Sequence, residues 1–338
     1  MRFRQWLLLA VVVLFLSRSG FACLWTYATN LDGQVEEIVS VPPGTFASGL
    51  IRKNSRESWL AQARTFKRRA DEHPENHEFR NDYAVMLARA GELTEALAAL
   101  NDIEATNPGL YPTAANLGTV YELSGDIEKA LHWIQEGLAR NPKSHNGSEW
   151  LHVRILQTKQ KLAVDPDWLK THSILGLNFG DDPRPAQPPE TELAALNGPA
   201  MWEDLNWHLT IQLRERTSLV EAPDPIVADL LCDTSNLLAL KGQLENAIAV
   251  AELAQRYEAP QSGLLERRLE HFRKIVFDAP KPLLGTNEIL NLRVNQLTIG
   301  FSIGTILLLA TIFVWVRRRR RHRADKRSPD VKSGSVRS

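Results

Sequence analysis

A fixed period of 34 residues is the feature that most restricts this chain. Pro74, Pro108 and Pro142 are each 34 residues apart, and so are Gly91 and Gly125, Ala96 and Ala130, and Asn107 and Asn141. Several residue types recurring in step mark a repeated supersecondary unit. Such a unit cannot bury its apolar face alone and must stack on its neighbours. The clearest copy is 111–144, YPTAANLGTVYELSGDIEKALHWIQEGLARNPKS, and 77–110 is the copy before it. Gly91 and Gly125 suit a turn inside each unit, and each proline suits the close of one because it has no N–H to continue a helix.

Leu117, Gly118, Tyr121, Ala130, Gly137 and Pro142 in the second copy, with Tyr83, Ala84, Leu87, Ala96, Leu100 and Pro108 in the first, occupy the marked positions of a tetratricopeptide (TPR) repeat. Over 77–144 the chain therefore resembles the TPR family. The resemblance implies an all-α fold: a helix–turn–helix solenoid wound as a right-handed superhelix. Small Gly118 and Ala130 fall where the paired helices cross, and Leu117 and Tyr121 fill the seam.

The flanking sequence follows the register less closely. Residues 51–76 read as a divergent first unit, with Phe66 matching Leu100 and Ile134, and 148–163 as a long capping helix. Together 51–180 is the expected TPR domain. The stretch 181–200, DDPRPAQPPETELAALNGPA, holds five prolines and reads as a linker or surface loop. Helical pattern resumes over 201–278. There, Gly242 and Ala247 keep the five-residue offset of Gly91 and Ala96, which suggests another TPR-like pair. Residues 23–50 read as irregular and 279–293 as a juxtamembrane connection.

Net charge over the 338 residues is zero, but it is a sum of unlike parts. Residues 1–22 carry +3 and 317–338 carry +8, so the stretch between them holds −11. The basic start, the apolar run Trp6–Leu16 and the small residues ending at Ala22 predict a signal peptide cleaved after Ala22. That run covers only about 16 Å as a helix, against about 30 Å of hydrocarbon. Val294–Val316, by contrast, is 23 residues without a charge and runs into Arg317–Arg323. This predicts one C-terminal transmembrane helix with the basic tail 317–338 cytoplasmic and 23–293 extracytoplasmic, in the periplasm. The cluster Arg317–Arg323 would meet anionic lipid headgroups. Gly300 and Gly304 share one helix face, where two copies could approach as a homodimer.

Chemistry-bearing motifs are sparse. No phosphate-binding loop, nucleophile elbow, zinc-protease helix or dinucleotide fingerprint is present, which predicts a non-enzyme without cofactor or metal. His73 and His77 have a metal-capable spacing, but Pro74 puts them in a solvated turn with no third ligand nearby. Glu149-x-x-His152 resembles half of a two-metal carboxylate site without its second half, so a helix surface or a packed polar contact is expected. The basic tail lacks interleaved aromatics, so no nucleic-acid binding is expected. Cys232 reads as a small core residue or as a disulfide partner of Cys23, and Cys23 is itself a poor lipidation candidate.

Solenoids of this kind bind proteins or peptides on the concave face of their first helices. In register, Glu78, Asn81, Val85, Ala88, Ala115, Thr119 and Glu122 face inward. TPR domains that clamp a C-terminal carboxylate use Lys and Asn where this chain has Asn81 and Val85, and only Asn116 matches. A basic peptide or a helix with small apolar contacts suits this groove better, in keeping with the −11 charge. Packing against an inserted segment of the chain itself is the plainer alternative. The whole chain also resembles bacterial exported, membrane-anchored TPR proteins. The residues that suggest this are Cys23–Trp25, Ser148–Ile155, Thr171–Gly180, Leu213–Arg216 and Pro223–Asp229.

Overall fold

In the computed structural model, the residues described are 26–38, 45–51 and 54–280, with the helical positions 309, 311, 314–317 and 319. The signal peptide, Cys23, Gly300, Gly304 and most of 294–316 lie outside them. Among the described residues no helix is long and apolar enough to cross a membrane.

The repeat region is a run of antiparallel helices: α2 Arg56–Glu72, α3 His77–Arg89, α4 Leu93–Thr106, α5 Tyr111–Leu123, α6 Ile127–Arg140 and α7 Glu149–Val164. Local chemistry starts and stops these helices where the sequence predicts. The side chains of Ser55, Asn76 and Asp126 each accept a first-turn backbone N–H, capping α2, α3 and α6. Gly91 and Gly125 sit at φ 82° and 84° in the turns of the two hairpins, a conformation that costs other residues about 1–2 kcal/mol. Close crossing of α5 and α6 explains two further glycines. A Cβ on Gly118 would lie 2.5 Å from the Ile134 side chain, and one on Gly137 would lie 3.2 Å from the Ala115 backbone.

After α7 the chain leaves the repeat, as expected, through a 3₁₀ turn at Trp168–Lys170 and an extended stretch. Short α8 Glu190–Ala194, long α9 Trp202–Leu219, α10 Pro225–Leu240, α11 Leu244–Arg256 and α12 Ser262–Asp278 follow. Helices α10 and α11 form a third helical hairpin where the Gly242/Ala247 offset suggested a pair, turned by Gly242 at φ 72°.

Two expectations are narrowed. First, residues 181–200, read as a linker or surface loop, do not separate two bodies: everything described through Pro280 is one compact unit. Leu193 and Leu196 are buried in the same core as Ile155 of α7 and Leu230 of α10. Prolines there direct an extended chain across a surface while its leucines anchor it. Second, the fold is not purely helical. Strands β1 Thr26–Thr29 and β2 Val35–Ile38 form an antiparallel hairpin in the segment read as irregular. This N-terminal segment also docks far along the chain. The Thr29 backbone N–H and hydroxyl donate to Glu245 of α11 at 3.0 and 2.6 Å. Helix α1, Thr45–Leu50, lies against α9, where Arg214 Nε donates to the Gly49 carbonyl at 3.0 Å.

The largest core gathers around α10, which is buried on nearly every side. Leu230 and Leu231 are fully buried there with Leu209 of α9, Val250 of α11 and Phe272 of α12. Each such side chain contributes about 1.5–3 kcal/mol. A smaller core, Ala84, Leu87, Leu100, Ile103 and Leu117, holds the first repeats together.

Candidate functional site

Four of the seven expected groove residues line one cavity, and its other wall is the chain itself. Val85, Ala88, Thr119 and Glu122 line a cavity of about 80 Å³ whose opposite wall is α9, through Gln212, Glu215, Arg216 and Leu219. The other three expected groove residues lie elsewhere. Glu78 is exposed near the start of α3. Half-buried Asn81 accepts a hydrogen bond from Asn116 Nδ2 at 3.0 Å across α3 and α5. Ala115 is a correction: it is buried under Gly137 in the α5/α6 crossing and faces no groove.

Glu122, expected to meet a partner in solvent, is 7% exposed and surrounded by cations of its own chain. Arg216 of α9 holds it with both terminal nitrogens, at 2.8 and 3.4 Å. Lys159 Nζ and His152 Nε2 of α7 approach to 2.7 and 2.6 Å. Burial alone would raise the Glu122 carboxyl. The charge of Arg216, then those of His152 and Lys159, outweigh it and hold the group well below the usual carboxylate range.

A second tier orients the first. Glu149, completely buried at the start of α7, contacts His145 through Oε2, and its Oε1 lies 3.3 Å from His152 Nδ1. Burial would lift this carboxyl, but hydrogen bonds from His145 and His152 bring it down to about 2. Burial works against the charge of His152, yet Glu122 and Glu149 prevail and raise its pKa. The expected packed role of Glu149 and His152 is what the geometry has.

Local backbone sets this up. His145, Asn146 and Gly147 follow one another in the left-handed region, at φ 47°, 56° and 83°. Asn and Gly tolerate that conformation, and His145 is held in it by Glu149. The turn starts α7 with Glu149 already inside. Around the rim, Arg89 of α3 bonds Glu215 and Ser218 of α9, both at 2.8 Å, and stacks over Trp59 of α2.

This arrangement clamps a helix. Every charged group in it is matched by another, and the cavity has room for a few waters at most. Sequence reasoning found Glu122 and the Glu149/His152 spacing but missed Lys159 and His145, and it missed Arg216 because nothing local marks α9 as the partner of Glu122. The His-Asn-Gly run before Glu149 was the available signal.

His73 lies in the exposed turn ending α2, with Nδ1 3.5 Å from Glu75. Cys232 is a free thiol on α10.

No protein-family model matches the chain, and no curated protein matches it. Among solved structures, it is similar to a chain in the "Structure of Naa15/Naa10 bound to HypK-THB". Identity is 15%, over 65% of this chain and 32% of that one, with a TM-score of 0.29. This chain thus spans about a third of that protein's length, and a likeness so distant carries no weight for function. What the fold and site define is a helical-repeat protein whose groove is clamped on one of its own helices.

Proposed function

We propose that this chain is a non-enzymatic, single-pass membrane protein whose extracytoplasmic TPR-like domain binds a basic segment of another envelope protein. The observation that carries this reading is the groove's own occupant. Helix α9 lies in it and delivers an arginine to a buried glutamate, so the surface is built to take a helix bearing positive charge. Val85, Ala88 and Thr119 supply the small contacts beneath it. Helix α9 covers the end of the groove formed by the last turns of α3 and α5. Near the start of α3, Glu78 stands close to Asp82, whose pKa is raised by partial burial and then by Glu78 against the pull of Arg69. That acidic end is where a partner would bind. Membrane anchorage and export rest on the 294–316 apolar run, its basic flank and the signal-like start.

Glu78→Lys/Asp82→Lys tests the groove in the full chain, by chemical crosslinking in native membranes. The variant should lose the crosslinked species that the wild type forms. Recovery of the same species by both chains would refute the groove assignment. A second reading, in which binding outside alters helix pairing and the basic tail, is favoured only by the Gly300-x-x-x-Gly304 spacing. Gly300→Ile/Gly304→Ile should then lower dimer crosslinking, and an unchanged yield removes it.

A further inference from the structure

A second, larger cavity lies away from the groove, between α10, α12 and the stretch 171–181. Its volume is about 500 Å³, inside the range of small-molecule sites, and exposed Thr171, His172 and Asp181 mark its mouth. Asp229 and Asp233 stand one turn apart on its α10 wall, each 5% exposed.

Their hydrogen bonding is incomplete. Asp229 Oδ2 accepts the Ile174 N–H at 2.8 Å, whereas Asp233 Oδ2 is buried with no hydrogen-bond partner. A buried carboxyl oxygen left bare is unfavourable by about 1–3 kcal/mol unless something else satisfies it. The one cation buried beside them, Arg268, is already used. It donates to Asn236 Oδ1 at 3.0 Å and to the carbonyls of Phe179, Gly180 and Asp182. Arg154 is likewise bonded to the carbonyls of Ile174, Leu175 and Ala195, and Lys161 lies over the Trp168 ring at 4.3 Å. No basic side chain among the described residues comes within ion-pair distance of Asp229 or Asp233.

By count the lining balances, with Arg154, Lys161 and Arg268 against Asp181, Asp229 and Asp233, but each of those cations is engaged elsewhere, so the two buried carboxyl groups have no cation of their own. Alone, they resolve this by holding protons. Burial lifts Asp229 to about 7, and burial, then the neighbouring Asp229, lifts Asp233 well above the carboxylate range.

We propose that this cavity binds a small organic cation, a primary ammonium or guanidinium compound, through Asp233 and Asp229. A bound ammonium gives the Asp233 carboxyl, whose Oδ2 has no hydrogen-bond partner, a charged donor of its own. A metal ion fits less well. No group of three or more His, Cys, Asp or Glu side chains among the described residues is close enough to hold one, and the volume far exceeds a single ion.

The test is isothermal titration calorimetry on the purified full chain with agmatine, putrescine and tyramine as probes, and with Ca²⁺ and n-butanol for comparison. At least one amine should bind saturably at one site per chain. Asp233→Asn should weaken that binding by about tenfold or more while the melting temperature stays the same or rises. Asp229→Asn, which keeps an acceptor for the Ile174 N–H, should weaken it as well, and n-butanol should give no saturable heat. The proposal is overturned if no amine binds up to about 10 mM. Equal binding by Asp233→Asn, or binding of Ca²⁺ in place of the amines, overturns it too.

Discussion

Removing Arg216 exposes the energetics of the clamp most directly. Arg216→Met keeps much of the side-chain volume in α9 but leaves Glu122 buried without its bidentate partner. A unit charge pair 2.8 Å apart attracts by about 6 kcal/mol at an effective dielectric near 20. Desolvation of both ions offsets most of this, so loss of one partner from a buried pair costs about 3–5 kcal/mol. Lys159 and His152 remain on Glu122 at 2.7 and 2.6 Å, which puts the expected loss at the lower end, about 3 kcal/mol. For a unit of this size that is about 6–12 °C in melting temperature. Glu122→Gln/Arg216→Met removes both charges together. It should recover part of the loss and yield a coupling energy of about 2 kcal/mol in a double-mutant cycle. Urea unfolding followed by far-ultraviolet circular dichroism measures all four corners of that cycle. A single mutant within about 0.5 kcal/mol of wild type, or strictly additive losses, would refute the view that this pair locks α9 into the groove.

Gly118→Ala should destabilise the protein by about 1–2 kcal/mol. A helical alanine gains up to about 1 kcal/mol over glycine, but the new methyl overpacks Ile134 at about 2–3 kcal/mol. In an Ile134→Ala background the same change should be neutral or favourable, and thermal melts of the four chains distinguish these outcomes. The pH profile should show two separate slopes. Glu149 has its folded value at about 2 and its ordinary value at 4.5, so its contribution is intact above 4.5 and is lost as pH falls toward 2. That loss is up to about 3 kcal/mol, and Glu149→Gln should flatten the acid limb. Asp229 acts in the opposite direction. Its value is raised from 3.8 to about 7, so the folded state binds the extra proton and stability declines as pH rises between those values. Asp229→Asn should remove that decline, and an unchanged slope in denaturant midpoint against pH would contradict the burial assigned to it.

How much of this was legible beforehand depends on the distance over which each feature is decided. Gly91, Gly125 and Gly242 at the hairpin turns and the Gly118 crossing are set within one turn or one 34-residue unit, so they can be read in order along the chain. The concave face was half legible. Val85, Ala88, Thr119 and Glu122 do converge, but Ala115 is one position off that face and lies under Gly137 instead.

Periodicity and local propensity alone therefore determined stacked helix–turn–helix units, their boundaries and their small crossing residues, because those depend on contacts a few residues apart. Tertiary structure alone decided what the groove holds. Arg216 meets Glu122 across 94 residues and Thr29 meets Glu245 across 216, and no local pattern specifies either pairing. Those contacts exist because the chain between them folds back and a buried carboxylate is stable only where a cation is brought to it. The same rule, unmet at Asp233, is what singles out the second cavity.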